Sequence, residues 1–192
     1  AQVLARVSGR DDVVFGTVLF GRMQGGEGTD RVMGPFINSL PLRVRIGGEG
    51  VEEGVLEMHR QLAELLRHEH ASLALAQRCS GVAAPAPLFT ALLNYRQRRD
   101  AGADRVRALE GIQALRAEGQ GRSNYPLTLS VDDLERGMSL KVFAPESVGP
   151  AGVCAMVHRA LEGVVEALEA APRRPVAQVE VLPEAMRRRV IE

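Results

Sequence analysis

The chain has 192 residues, enough for one domain, or one lobe of a larger domain, with a sizeable core. Its 24 basic and 24 acidic residues balance, so net charge favours neither nucleic acid nor an anionic membrane as a partner. No apolar run approaches the ~20 residues of a membrane span, and no signal peptide pattern opens the sequence, so we expect a cytoplasmic protein.

Two strands and a loop are predicted in the first quarter of the chain. Residues 13–20 are rich in β-branched and aromatic side chains, which is typical of a buried strand. Residues 21–29 are rich in glycine and predict a loop. Between Leu40 and Ile46 apolar residues alternate with arginines, which is the period of a half-buried strand.

Both ends of the sequence have helical patterns. Val3, Leu4 and Val7 have helical spacing from the first turn, and residues 183–192 form a charged helical stretch without a capping signal. These patterns predict a fragment of a longer polypeptide. The alternative is a complete domain trimmed at both ends.

The middle of the chain predicts two helices and then an ambiguous segment. Ser72 to Cys79 favours a short helix, and residues 83–87 a loop. Phe89 to Tyr95 suits a strand or a helix, and residues 96–111 suggest an exposed polar connection. The longer helix has its apolar face at Val51, Val55, Met58, Leu62, Leu65 and Leu66.

The last third predicts a hairpin, a long helix and an extended end. Residues 126–131 and 138–143 alternate in polarity, and Asp132 to Gly137 between them favours a turn. Pro150 can open a helix that Pro172 ends, and residues 176–182 suggest a last extended stretch. Strands and helices that alternate loosely around a hairpin predict an α/β fold with a mixed sheet and packed helices. The apolar face of the long helix is Val153, Met156, Val157, Leu161, Val164, Val165 and Leu168.

The residue types that usually carry catalysis or bind metals lack the spacing for it. His68 and His70 diverge by about 200° on a helix, so they are not expected to share a metal ion. Cys79 and Cys154 have no zinc-like spacing, and we interpret them as buried thiols in a reducing cytosol. We interpret the remaining candidates as structural or solvated positions: His59, His158, the pair Asp132 and Asp133, the stretch Tyr95 to Arg99, and Arg187 to Arg189. We therefore predict no catalytic residue and no metal site in this chain.

Asn38 is the polar residue in the most unusual setting. It lies between the apolar Phe36 and Ile37 and the strand that follows, and a buried amide must find hydrogen-bond partners. It can be a structural amide bonded to the turn at Gly34 and Pro35, or it can bind a ligand.

The segment from Gly34 to Arg43 strongly resembles a motif in the C-terminal half of condensation domains of nonribosomal peptide synthetases. That motif is Gly-x-Phe-(Ile/Val)-Asn-(Ser/Thr)-x-x-x-Arg, and its positions here are Gly34, Phe36, Ile37, Asn38, Ser39 and Arg43. Further stretches similar to the family lie in the same order at residues 14–18 with 21–22, 68–77, 87–89 with 92–95, 124–127 and 181–184. Residues 68–77 depart from the His-Gln-Asp-x-Pro-Phe-Glu of many members.

The resemblance implies a fold and a reaction. The fold would be one lobe similar to chloramphenicol acetyltransferase, a CoA-dependent acyltransferase-like architecture. The family's active-site motif, His-His-x-x-x-Asp-Gly, lies in the N-terminal lobe, and no His-His pair occurs in this sequence. The resemblance therefore predicts the C-terminal lobe over residues 1–182, followed by the start of a linker toward an adenylation domain over residues 183–192.

The same resemblance implies a role and partners for this lobe. Condensation domains form amide bonds by acyl transfer from one carrier-bound thioester to the amine on another. This lobe would supply half of the substrate tunnel, lined by Gly34, Phe36, Asn38, Ser39 and Arg43, and a docking surface for donor and acceptor carrier proteins. The carriers would deliver phosphopantetheine arms, and the chain would bind no cofactor of its own. The alternatives are a non-catalytic scaffold lobe, or the lobe of an epimerising or ester-forming relative; alone, the chain is expected to be inactive.

Overall fold

A computed structural model describes residues 1–22, 28, 31–97, 124–134 and 137–191, and the side chains of residues up to 188. Most of the predicted glycine-rich loop and most of the predicted connection after Tyr95 lie outside the described residues.

The described residues form a five-stranded mixed sheet in the order β2-β1-β3-β4-β5. β1 and β2 are antiparallel, β4 and β5 are an antiparallel hairpin, and β3 runs parallel to both β1 and β4. The sheet confirms the predicted α/β fold with a mixed sheet, and the segment after Phe89 is a strand rather than a helix. The strands are β1 (Asp12–Leu19), β2 (Asn38–Arg45), β3 (Ala91–Gln97), β4 (Leu127–Leu134) and β5 (Gly137–Phe143).

The predicted helices all form, and local signals explain their bounds. Pro150 occupies the first turn of the longest helix, where its missing N–H costs nothing. The Ser72 hydroxyl accepts a hydrogen bond from the Leu75 N–H and so caps the short helix. The helices are α1 (Gln2–Ser8), α2 (Val51–Arg67), α3 (Leu73–Cys79), α4 (Pro150–Ala170) and α5 (Glu184–Ile191).

The core lies on one face of the sheet. Alternate residues of β1 and β2, such as Phe15 and Leu42, are buried against α1 and α2. A second buried cluster joins α2, α4 and the segment after α4 through Val51, Ala167 and Val179. The alternation predicted for β2 is confirmed, because Leu40, Leu42 and Val44 are buried while the two arginines between and after them are exposed.

The apolar face predicted for α4 is only partly buried. Val153 and Met156 are buried, but Leu161 is 42% exposed and Val165 52% exposed. Leu161 instead lines an apolar groove of about 950 Å³ between the sheet face, α2 and α4. The expectation of burial was wrong there because helical periodicity identifies an apolar stripe but not what covers it.

Other local expectations were also wrong. Arg96 and Asp132 lie within strands β3 and β4, not in a connection or a turn. Cys79 is exposed and Cys154 half-buried, so they are not two buried thiols. The end predicted as extended begins with a 3-10 turn, Val176–Gln178, which follows Pro175.

Candidate functional site

The motif from Gly34 to Ser39 lies at the edge of the sheet where β1 ends. Leu19, the last residue of β1, is in register with Asn38, the first residue of β2. β1, β3 and β4 are parallel, so their carboxyl ends all point toward this edge. Open α/β sheets bind ligands beyond the carboxyl ends of their strands, so this edge is the candidate site.

Two residues after β1 hold the motif segment in place. Gly21 has a φ of 65°, and a Cβ atom there would collide with the Phe36 carbonyl oxygen. The Arg22 guanidinium lies 4.7 Å from the centre of the Phe36 ring, and its Nη2 donates to the Val32 carbonyl at 3.0 Å. A glycine followed by an arginine therefore fixes the path of the chain into Asn38 by close backbone approach and a cation–π contact.

The carboxamide of Asn38 bonds to a different loop from the one expected. Its Nδ2 donates to the carbonyl oxygens of Glu69 at 2.9 Å and Ala71 at 2.7 Å, and its Oδ1 accepts from the Ser39 N–H at 2.9 Å. The turn at Gly34 and Pro35 is not among these partners. The amide thus connects β2 to the turn between α2 and α3, a link of 31 to 33 residues that sequence spacing could not reveal.

This turn, residues 68–71, directs its side chains in opposite directions. Glu69 is 1% exposed, whereas the side chains of His68 and His70 are 66% and 64% exposed. The His70 Nε2 lies 3.7 Å from the Glu69 Oε1. A carboxylate is costly to bury unless neighbouring groups compensate its charge.

The surface beside the motif is apolar and open. Ile37 is 65% exposed and Met33 96%, and Phe36 is half-buried. The expectation that Phe36 and Ile37 bury Asn38 was therefore wrong for Ile37, and Asn38 itself is half-buried. An open apolar surface of this kind suits contact with another protein or with a substrate.

Arg43 lies at the other end of β2. It is five positions after Asn38, which is roughly 17 Å along a strand. Its Nη2 is 2.6 Å from the Asp12 Oδ2, and the Arg43 hydrogen bond is the main reason that the pKa of Asp12 lies below its usual 3.8. Gly34, Phe36, Asn38 and Ser39 are thus brought together, and Arg43 is not.

A second polar group lies at the carboxyl ends of β3 and β4. The Tyr95 hydroxyl donates to the Asp133 carboxylate at 2.5 Å, which raises the pKa of Tyr95. Arg96 Nη2 is 2.8 Å from the buried Asp132 carboxylate, and the Lys141 ammonium is 4.0 Å from it. The sequence analysis missed these pairs. The available signal was that Arg96 and Asp132 have opposite charges, but the sequence does not show that their strands are neighbours.

The other candidate residues do not form a reactive site. His59 and His158 are exposed on helices, and His158 lies 3.5 Å from Glu162 one turn away. Of the arginines in the last helix, Arg187 lies 3.7 Å from Glu180 and Arg188 3.3 Å from Glu184. Within the described residues, no three His, Cys, Asp or Glu side chains lie close enough together to hold a metal ion. No helix in the described part of the chain is long and apolar enough to cross a membrane.

The apolar groove of about 950 Å³ is not the candidate site. Its walls are apolar side chains of the sheet face, α2 and α4, including Phe15, Met58 and Leu161. The groove is also lined by charged and polar side chains, among them Arg43, Arg45, Glu53, Arg60 and Tyr95. Two of these are already bonded elsewhere, Arg43 to Asp12 and Tyr95 to Asp133. The candidate site is instead the edge that carries Asn38, because the motif and the carboxyl ends of the parallel strands meet there.

Comparison with known proteins identifies the family. The family model "Condensation domain" matches residues 1–191. The chain is 49% identical over 183 residues to malpibaldin synthetase of Mortierella alpina, and 46% identical over 192 residues to malpinin synthetase of the same organism. These matches cover 95% and 100% of this chain, but the chain spans only 3% and 2% of the length of those relatives.

Solved structures show the same fold. A starter condensation domain of the rhizomide synthetase aligns with a TM-score of 0.62 and 19% identity, covering 95% of this chain and 43% of that one. A four-domain nonribosomal peptide synthetase bound to AMP and glycine aligns with a TM-score of 0.65 and 17% identity, covering 95% of this chain and 15% of that one. The fold is thus CoA-dependent acyltransferase-like, with a mixed sheet and packed helices. From its family match and its similarity to these synthetases, the chain belongs to the condensation domain family.

Proposed function

We propose that this chain is the C-terminal lobe of an amide-forming condensation domain in a nonribosomal peptide synthetase. The observation that carries the proposal is the family match over residues 1–191 together with 49% identity to a peptide synthetase. The reaction would be attack of an amine on one carrier protein upon a thioester on another, which forms an amide and releases the donor thiol. The absence of a His-His pair from the sequence supports a lobe that works with a catalytic partner lobe.

The substrate tunnel would run along the edge of the sheet that carries the motif. Gly34, Phe36, Asn38 and Ser39 would form its wall where β1 ends, and Arg43 would lie at a different depth, about 17 Å along β2. The exposed apolar side chains beside the motif support this location, because an acyl chain or a pantetheine arm needs apolar contact. Ordered amides next to such a wall can orient a reacting carbonyl.

The partners would be parts of the same assembly. The N-terminal lobe would supply the histidine that assists the amine, and donor and acceptor carrier proteins would bring phosphopantetheine arms into the tunnel. Residues 183–192, which include α5, would begin the linker toward an adenylation domain.

The test is reconstitution of the complete condensation domain that contains this chain. The domain is mixed with an acyl-loaded donor carrier and an aminoacyl-loaded acceptor carrier, and the amide product is measured on the acceptor by mass spectrometry. We expect product from the complete domain and none above the uncatalysed rate from the 192-residue chain.

The control is an alanine in place of the second histidine of the upstream His-His-x-x-x-Asp-Gly motif. It should abolish product while carrier binding persists. A complete domain that binds both carriers and forms no amide would support the scaffold alternative, and turnover by the 192-residue chain would contradict the division of labour between lobes.

A further inference from the structure

We propose that Asn38 is a positioning residue: it affects condensation by holding the turn at residues 68–71 against β2, and not by contact with substrate. This inference rests on the proposed function, because it assigns a role within the same site. It concerns the amide that the family motif places at the start of β2.

The hydrogen-bonding capacity of the carboxamide supports the inference. An asparagine side chain has two N–H donors, and Asn38 directs both at backbone carbonyls, those of Glu69 and Ala71. The reverse orientation of the amide would place its oxygen against the same two carbonyl oxygens, so the contacts fix which end is nitrogen. A substrate carbonyl could receive a donor from Asn38 only if one of these bonds broke.

The turn depends on these bonds for its shape. The carbonyls of Glu69 and Ala71 lie between α2 and α3, outside any helix or strand. Within the turn, the Ala71 N–H donates to the His68 carbonyl at 2.8 Å. The two bonds from Asn38 tie this loop backbone to the first residue of β2.

The shape of this turn determines which of its side chains are buried and which are exposed. It places the Glu69 carboxylate inward at 1% exposure and the His70 imidazole outward at 64% side-chain exposure. A rotation of the turn would exchange these environments beside the motif. Asn38 therefore connects the motif strand to the shape of the adjacent wall.

The experiment compares two amide deletions in the complete condensation domain. Asn38→Ala removes two amide-to-carbonyl bonds at the site. Gln77→Ala is the matched control, because the Gln77 Nε2 donates to the Val82 and Ala86 carbonyls at 2.9 and 3.1 Å in another loop. We expect Asn38→Ala to lower kcat by about tenfold to a hundredfold, the usual equivalent of two hydrogen bonds, with carrier KM changed less. Gln77→Ala should leave kcat unchanged.

One further measurement separates positioning from direct contact. Hydrogen exchange should be faster at residues 68–71 in Asn38→Ala than in the unsubstituted domain.

The outcomes have distinct meanings. A slow Asn38→Ala enzyme with normal exchange in the turn would show that Asn38 acts on substrate directly. A normal rate in Asn38→Ala would overturn the inference. An inactive unsubstituted domain would instead reject the proposed function, and exchange in the turn would still test the contact with Asn38.

Discussion

Gly9 and Gly21 have nearly the same left-handed backbone, with φ of 66° and 65°. Their surroundings differ, because a Cβ at Gly9 would meet nothing within 4 Å whereas one at Gly21 would collide with the Phe36 carbonyl. The pair therefore separates the cost of the backbone conformation from the cost of close approach. Only the second of these is specific to the motif.

We expect Gly9→Ala to lower the free energy of unfolding by about 1–2 kcal/mol, the cost of a left-handed alanine. Gly21→Ala should cost about 1–3 kcal/mol more, since the backbone at Phe36 must move. Urea denaturation of both variants measures the difference. Equal costs would show that the segment before Asn38 shifts freely.

The contact between Asp12 and Arg43 predicts a pH dependence. The folded pKa of Asp12 is lowered, first by the Arg43 hydrogen bond, so the contact stabilises the fold above the unfolded value of 3.8 and is lost as pH falls through the lower folded value. The melting temperatures of the unsubstituted protein and Asp12→Asn should differ at pH 6 and converge as the pH falls below about 4. A constant difference across this range would assign the effect to something other than the charge of Asp12.

At the scale of the elements, α4 shows how an apolar stripe and a buried face differ. Met156 is 7% exposed and Leu161 is 42% exposed, although both belong to the stripe predicted from the sequence. A charge at position 156 would lose most of its water, and a charge at position 161 can keep much of its hydration.

We therefore expect Met156→Asp to destabilise the fold by several kcal/mol and Leu161→Asp by no more than about 1–2 kcal/mol. Thermal unfolding of the two variants in parallel measures the gap. If Leu161→Asp proved as damaging as Met156→Asp, the groove would have to be closed in solution.

The elements themselves could be predicted because each depends on local patterns. The alternation in β2, the proline that opens α4 and the serine that caps α3 all act within a few residues. The contacts of the site could not be predicted, because Asn38 bonds to carbonyls 31 and 33 residues away and Arg96 pairs with Asp132 across strands. A pattern shows that Asn38 needs partners, but only the fold determines which ones.

At the scale of the whole molecule, the family match and the structural alignments cover nearly the entire chain. Two apolar surfaces of the described fold are open: the groove and the surface beside Ile37. The open surfaces lie on different parts of the fold. The groove lies between the sheet face, α2 and α4, and the motif surface extends beyond the end of β1.

The sheet order also has a consequence for cooperativity. β1 and β2 share eight registered pairs and β3 and β4 share seven, but β1 and β3 share only two, Gly16 with Leu92 and Thr17 with Leu93. Gly16, which belongs to one of these two pairs, contributes no side chain to packing. The strands therefore form two blocks with a narrow boundary, and such blocks can open separately.

The chain contains no tryptophan, so the fluorescence of a single introduced tryptophan reports the unfolding of the block that contains it. We expect Phe15→Trp, in the β1–β2 block, and Phe143→Trp, in the β3–β5 block, to give urea transitions with different midpoints. Coincident transitions would mean that the two registered pairs between β1 and β3 suffice to make the blocks unfold as one unit.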